Sequence, residues 1–159
     1  FMGCEFGQSG EWNANAELDW WLLNEGPFHL GVKRLVADLN ALYQREPALW
    51  RGDYDSDGFW WVDCGDHANS VLSFIRHDRE TGGHVLAILN LTPQVHHGYR
   101  IGLPVAGQWQ EALNTDAATY GGSNLGNPCG VTAGDYAVHG QKHSALFTLP
   151  PLSISVFRS

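Results

Sequence analysis

The chain has 159 residues, a net charge of -8 and a hydrophobic content of 43%. That is long and apolar enough for a real core, and it excludes a disordered chain. Nine scattered Lys and Arg exclude the basic surface that nucleic acid demands, and no apolar run approaches the roughly 18 residues that span a bilayer.

Phe1 to Phe6 reads as a short buried strand. Gly7 to Gly26 is rich in Gly, Asn and Trp and reads as a loop. From Phe28 to Arg45, Val32, Leu35, Val36, Leu39, Leu42 and Tyr43 recur at helical spacing. Pro27 suits the start of that helix and Pro47 its end. One strand and one amphipathic helix cannot bury their apolar faces alone. Residues 1–50 therefore form a segment that needs a partner. That partner is either the flank of the β-rich remainder of the chain or a second copy, paired through the open edges of the strand.

Residues 51–159 change character. Short β-rich runs alternate with turn signals: Phe59–Cys64, Ser70–Arg76, His84–Leu91, Tyr99–Leu103, Trp109–Leu113, Ala145–Leu149 and Ser153–Phe157. Thr81-Gly82-Gly83 predicts a hairpin. Seven or eight short strands argue for an antiparallel β-sandwich, so the fold class is mainly β. The candidate core is Val71, Phe74, Leu86, Ile88, Leu146, Ile154 and Val156. Strand alternation puts Leu86 with Ile88, and Ile154 with Val156. Val71 and Phe74, three apart, share a face only across a bulge.

Five clusters invite a site reading. Asp53-Tyr54-Asp55-Ser56-Asp57-Gly58 imitates the start of an EF-hand loop, but its twelfth position is Cys64 rather than a bidentate Glu, so it reads as an acidic turn. His139 and His143 have zinc spacing on a helix, but Gly140 breaks a helix, so they read as turn histidines. Gly121-Gly122-Ser123-Asn124-Leu125-Gly126 lacks the Lys of a phosphate loop. His77-Asp78, before the Thr81-Gly82-Gly83 turn, reads as a solvated turn. Cys4, Cys64 and Cys129 form no CxxC and suggest reduced thiols in a cytoplasm, where the Asn90-Leu91-Thr92 sequon carries no weight. No metal or cofactor is expected.

Phe1-Met2-Gly3-Cys4-Glu5-Phe6-Gly7-Gln8, Glu11-Trp12-Asn13 and Leu18-Asp19-Trp20 resemble a run in bacterial 1,4-α-glucan (glycogen) branching enzymes of the α-amylase superfamily. The resemblance continues in order through Arg34–Asn40, Gly58–Trp61, Asn69–Phe74, Asn90–Pro93, Gly98–Gly102, Leu113–Asp116, Tyr120–Ser123 and Thr148–Leu152. It implies the C-terminal end of such an enzyme: the last strand and helix of a truncated (β/α)8 barrel over residues 1–50, then a C-terminal β-sandwich over 51–159. Those enzymes cut an α-1,4 glucan and rejoin the piece through an α-1,6 bond. Their paired carboxylates lie on earlier barrel strands, so no catalytic residue is expected here and the chain alone should be inactive. Glu11, Trp12, Asp19 and Trp20 are the implied substrate-binding residues at the barrel's edge, with α-glucan as the partner. Ser9 and Asn15 depart from the family's preference. The rival reading is a free-standing carbohydrate-binding sandwich, in which some of the seven Trp stack on sugar rings. Such a module would not carry the first 50 residues.

Overall fold

The computed structural model describes residues 1–159. Eight strands follow one long helix, α1 (Pro27–Arg45): β1 (Phe59–Asp66), β2 (Val71–His77), β3 (His84–Asn90), β4 (His96–Leu103), β5 (Gly107–Asn114), β6 (Val131–Ala133), β7 (His143–Leu149) and β8 (Ser153–Arg158). Six form one sheet in the order β1-β2-β3-β8-β5-β6, and β4 pairs with β7 in a second. Every pairing is antiparallel. The chain crosses to the second sheet after β3 and again after β6, and each time it returns. That exchange is what makes a sandwich. The seven expected strands are all present. β6 escaped the sequence reading because three residues in a Gly-rich stretch show no period.

The core between the sheets contains Val71 and Ile75 of β2, Leu86 and Ile88 of β3, Ile101 and Leu103 of β4, Trp109 of β5, Ala145, Phe147 and Leu149 of β7, and Phe157 of β8. Leu86 and Ile88 share the inner face as expected. Three expectations fail. Phe74 points outward, opposite Trp61, because the inner face of β2 runs through Val71, Ser73 and Ile75. Leu146 is 51% exposed; Ala145, Leu146 and Phe147 are apolar on both parities, and the pair on either side of Leu146 faces inward. Ile154 and Val156 do share a face, but it is the outer one. Ser153, Ser155 and Phe157 take the inner side of β8.

The outer face is apolar because α1 lies on it. Leu42, 2% exposed, packs with Ala48, Val85, Leu113 and Val156 as a second cluster, with Leu35 and Leu49 at its margin. Burying one such Leu is worth about 1.5–3 kcal/mol. Of the two expected partners for the helix, the flank of the sandwich is the one the fold uses. Beyond its reach, Leu39, Tyr43 and Ile154 border an open apolar groove.

A second clasp holds the start of α1. Between β5 and β6 the chain makes a 3-10 turn, Ala118–Tyr120, braced by Asp116, which accepts from the Ser123 backbone N–H (3.0 Å) and from its hydroxyl. The Tyr120 carbonyl sits where a side chain at Gly31 would begin: a Cβ there would lie 2.3 Å from that oxygen. The Tyr120 hydroxyl donates to Asp38 at 2.6 Å, and burial and that carboxylate push it up to about 12.

The expected strand at Phe1–Phe6 is absent. Cys4–Phe6 is a 3-10 turn flanked by Gly3 and Gly7, both left-handed. A strand must pair its backbone with neighbours; the turn pairs it locally, through Cys4 N–H to Phe1 (3.1 Å) and Gly7 N–H to Cys4 (3.1 Å). Phe6 is fully buried beneath the stacked Trp20 ring (5.2 Å), and His29 of α1 donates Nδ1–H to the Phe6 carbonyl at 2.9 Å.

Candidate functional site

The residues before α1 form a cleft of about 270 Å³ lined by Phe1, Met2, Gly3, Cys4, Gln8, Gly10, Glu11 and Trp12. Gln8 builds it. Its Oε1 accepts from the Asp19 backbone N–H (2.9 Å) and its Nε2 donates to the Gly10 carbonyl (3.1 Å), so one amide ties both ends of the loop between them. Glu5 accepts from the Gly3 N–H (2.9 Å) and lines an adjoining opening with Phe1, Met2 and Trp12. Phe1 and Trp12 stand 6.4 Å apart and tilted, with Trp12 41% exposed.

Of the four expected binding residues, the structure brings Glu11 and Trp12 together in this cleft. Asp19 is behind the wall, its carboxylate near Gly10. Trp20 is turned away onto Phe6, its outer face open. Gln8, which braces this loop, was not singled out, although it stands within the first run of the resemblance. A ring, a carboxylate and backbone carbonyls in an open cleft suit a polyhydroxylated ligand: C–H faces stack on the indole while hydroxyls donate to the carboxylate.

The other clusters resolve into structure. In the acidic turn, Asp53 pairs with Arg76 and Asp57 with Arg79, both arginines coming from the β2 end of the next hairpin. Gly58 is required because a Cβ there would lie 2.1 Å from the Gly52 carbonyl. The turn after His77 is exposed from Arg79 to Gly82, as expected, but Asp78 itself is buried. The Asp78 carboxylate, 1% exposed, accepts from the Thr81 hydroxyl (2.6 Å), the Glu80 N–H (3.1 Å) and Arg51 (3.0 Å). The Thr81 hydroxyl bond, then the backbone bond and the guanidinium, hold it below the usual carboxylate range against a partial desolvation. It is a shallow group, covered by one Arg and its own turn. His77 stacks on His84 at 4.6 Å.

His139 has φ 52° and Gly140 φ 72°, so His139 sits on a tight turn and not on a helix, whereas His143, expected in the same turn, opens β7. His143 bonds Asp135 at 2.9 Å. No three His, Cys, Asp or Glu gather in metal-binding geometry. Asn90 of the sequon is 1% exposed. Its amide donates to the Gln94 (2.7 Å) and Pro150 (2.8 Å) carbonyls and its oxygen accepts from Thr92, so it is a structural clamp. Asp66, bonded by the Tyr99 hydroxyl and by Asn69, is held low, and Tyr99 is pushed up by burial and that carboxylate.

The family model described as the α-amylase C-terminal all-β domain matches residues 61–159, β1 to the last residue. The chain belongs to that family. It is 51% identical over 158 residues to the 1,4-α-glucan branching enzyme of Synechococcus sp. (strain WH7803), and 52% identical to those of Parasynechococcus marenigrum (strain WH8102) and Prochlorococcus marinus (strain NATL1A). Each match covers 99% of this chain and 20–21% of the relative, so the chain spans about a fifth of the length of the curated relatives it matches. Among solved structures, the trehalulose synthase MutB shares the fold over 92% of this chain and 21% of that one, with a TM-score of 0.50 and 15% identity.

Proposed function

We propose that this chain is the C-terminal portion of a 1,4-α-glucan branching enzyme, with the Glu11–Trp12 cleft at the edge of that enzyme's glucan site. The observation that carries the reading is the 51% identity over 158 residues, an aligned span that takes in the first 50 residues as well as the sandwich. Those residues have no place in a free-standing carbohydrate-binding module. In this reading residues 1–50 are the closing elements of a catalytic barrel and 51–159 are the sandwich behind it. Retaining transfer needs a nucleophilic carboxylate and an acid about 5 Å apart; on the family resemblance both belong to earlier barrel strands. Glu11 and Trp12 would then bind glucan rather than cut it, aided by Asp19 and Trp20 once the rest of the barrel orders the loop. The exposed Phe1, Met2, Trp20, Trp21 and Phe28 would face that barrel, and in the isolated chain the same face would favour self-association. A reducing cytoplasm fits three exposed free cysteines. No helix is long and apolar enough to cross a membrane.

The test is a chimera. The C-terminal fifth of the Synechococcus WH7803 relative is replaced by this chain, and amylose is assayed by iodine colour and by proton NMR of new α-1,6 linkages. Branch formation is expected, with none from the 159-residue chain alone. A folded chimera that makes no branches, or branching by the isolated chain, refutes the reading.

A further inference from the structure

The β4–β7 sheet lies on the opposite side of the sandwich from α1, and its outer face carries a groove of about 470 Å³. Tyr136 forms one wall and is 59% exposed. Its ring is not loose. Its backbone N–H donates to the Gly134 carbonyl (2.9 Å), and Gly134 is stitched to β7 through both its backbone bonds with Ser144 (3.0 and 3.1 Å). One face of the ring is covered by the Arg100 guanidinium, 4.2 Å from the centroid. Arg100 is in turn fixed by donating Nη1–H to the hydroxyl of the buried Ser144 at 3.0 Å. Leu146, the half-exposed residue with no partner in either core, lines the same groove beside Thr132 and Asp135.

We infer that this groove is a second α-glucan-binding site, distinct from the Glu11–Trp12 cleft. The free face of Tyr136 and the Leu146 side chain offer an apolar surface to sugar C–H faces. The guanidinium donors of Arg100 not used by Ser144, together with the Asp135 carboxylate, reach hydroxyls. Because Tyr136 and Arg100 are already held, ordering them on binding costs little. One cation and one carboxylate line the groove, which suits a neutral polyhydroxylated ligand and disfavours an anion. The choice of an α-glucan over other sugars rests on the proposed function; the groove itself supplies the carbohydrate chemistry. A glucan held here while another stretch is worked on would raise the local concentration of chain ends.

The test is native affinity electrophoresis of the full chain in gels containing glycogen, with hydroxyethyl cellulose as the β-linked control. Retardation is expected in glycogen only. Tyr136→Ala should weaken it at least about tenfold, and Tyr136→Phe should keep it. Circular dichroism checks that each variant is folded. Absence of retardation in the unmodified chain, equal retardation in both gels, or full retardation of folded Tyr136→Ala overturns the inference. A chimera that branches amylose while the gel shows no retardation sinks this site alone; retardation with an inactive chimera sinks the enzyme reading alone.

Discussion

Gly31→Ala should destabilise this chain, although the same change in an isolated helix would stabilise it. In a free helix the substitution gains about 1 kcal/mol, because Ala is the better helix former. Here the new Cβ would lie 2.3 Å from the Tyr120 carbonyl oxygen and 2.7 Å from its carbon. Both are backbone atoms and cannot rotate away. Ordinary contact begins near 3.4 Å, so helix and turn must part by about 1 Å, and overpacking of this kind costs about 1–3 kcal/mol. The parting also stretches the 2.6 Å bond from the Tyr120 hydroxyl to Asp38; a bond to a charged group is worth about 1.5–3 kcal/mol, less at a partly exposed site. Set against the propensity gain, the net loss is about 1–3 kcal/mol. At about 2–4 °C per kcal/mol for a chain of this size, the melting temperature should fall by several degrees. Urea unfolding followed by tryptophan fluorescence measures it. An unchanged or raised midpoint would show that the β5–β6 loop does not hold α1 in solution.

Ile88→Ala should cost about 2–5 kcal/mol and Leu146→Ala within about 0.5 kcal/mol, because the first lies in the core and the second on the open face of β7; equal losses by calorimetry would invalidate the assignment of faces. Asn127→Ala should cost about 1–3 kcal/mol, since that amide bridges Glu111 of one sheet (3.1 Å) and both backbone groups of Thr148 in the other (2.9 Å each), and a urea titration at neutral pH checks it. Burial, and secondarily the charge of His77, lower His84 from 6.5 to about 4. The unfolded chain therefore takes up a proton that the folded one refuses, and stability should be full above pH 6.5 and decline towards pH 4. His84→Phe should flatten that slope, leaving the losses below about pH 4 that come from the depressed Asp66 and Asp78; an unchanged slope would refute the burial of that imidazole.

The α1 helix, the seven longer strands and the sandwich class were legible from the residues alone, because period and punctuation are local properties that survive without tertiary information. Glu11 and Trp12 were singled out from a run whose order resembles one family, and the structure places both in one cleft. The direction of each face was settled elsewhere. Leu146 and Phe147 are both apolar, and only the pairing of β7 with β4 chooses between them. Val156 reads as core from its own strand, yet it lies outside the sandwich and is buried by a helix more than a hundred residues earlier. The strand expected at Phe1–Phe6 became a 3-10 turn because a strand is a property of its neighbours as much as of its residues. Asp78, read as a solvated turn residue, is covered by Arg51, 27 residues away in sequence and 3.0 Å away in space. Gly31 is unfavourable in a helix by local propensity, and it is the Tyr120 carbonyl against it that leaves no room for a side chain. Apart from the Phe1–Phe6 turn, which closes on local bonds, each of these outcomes was set by a long-range contact, and no window of neighbouring residues contains one.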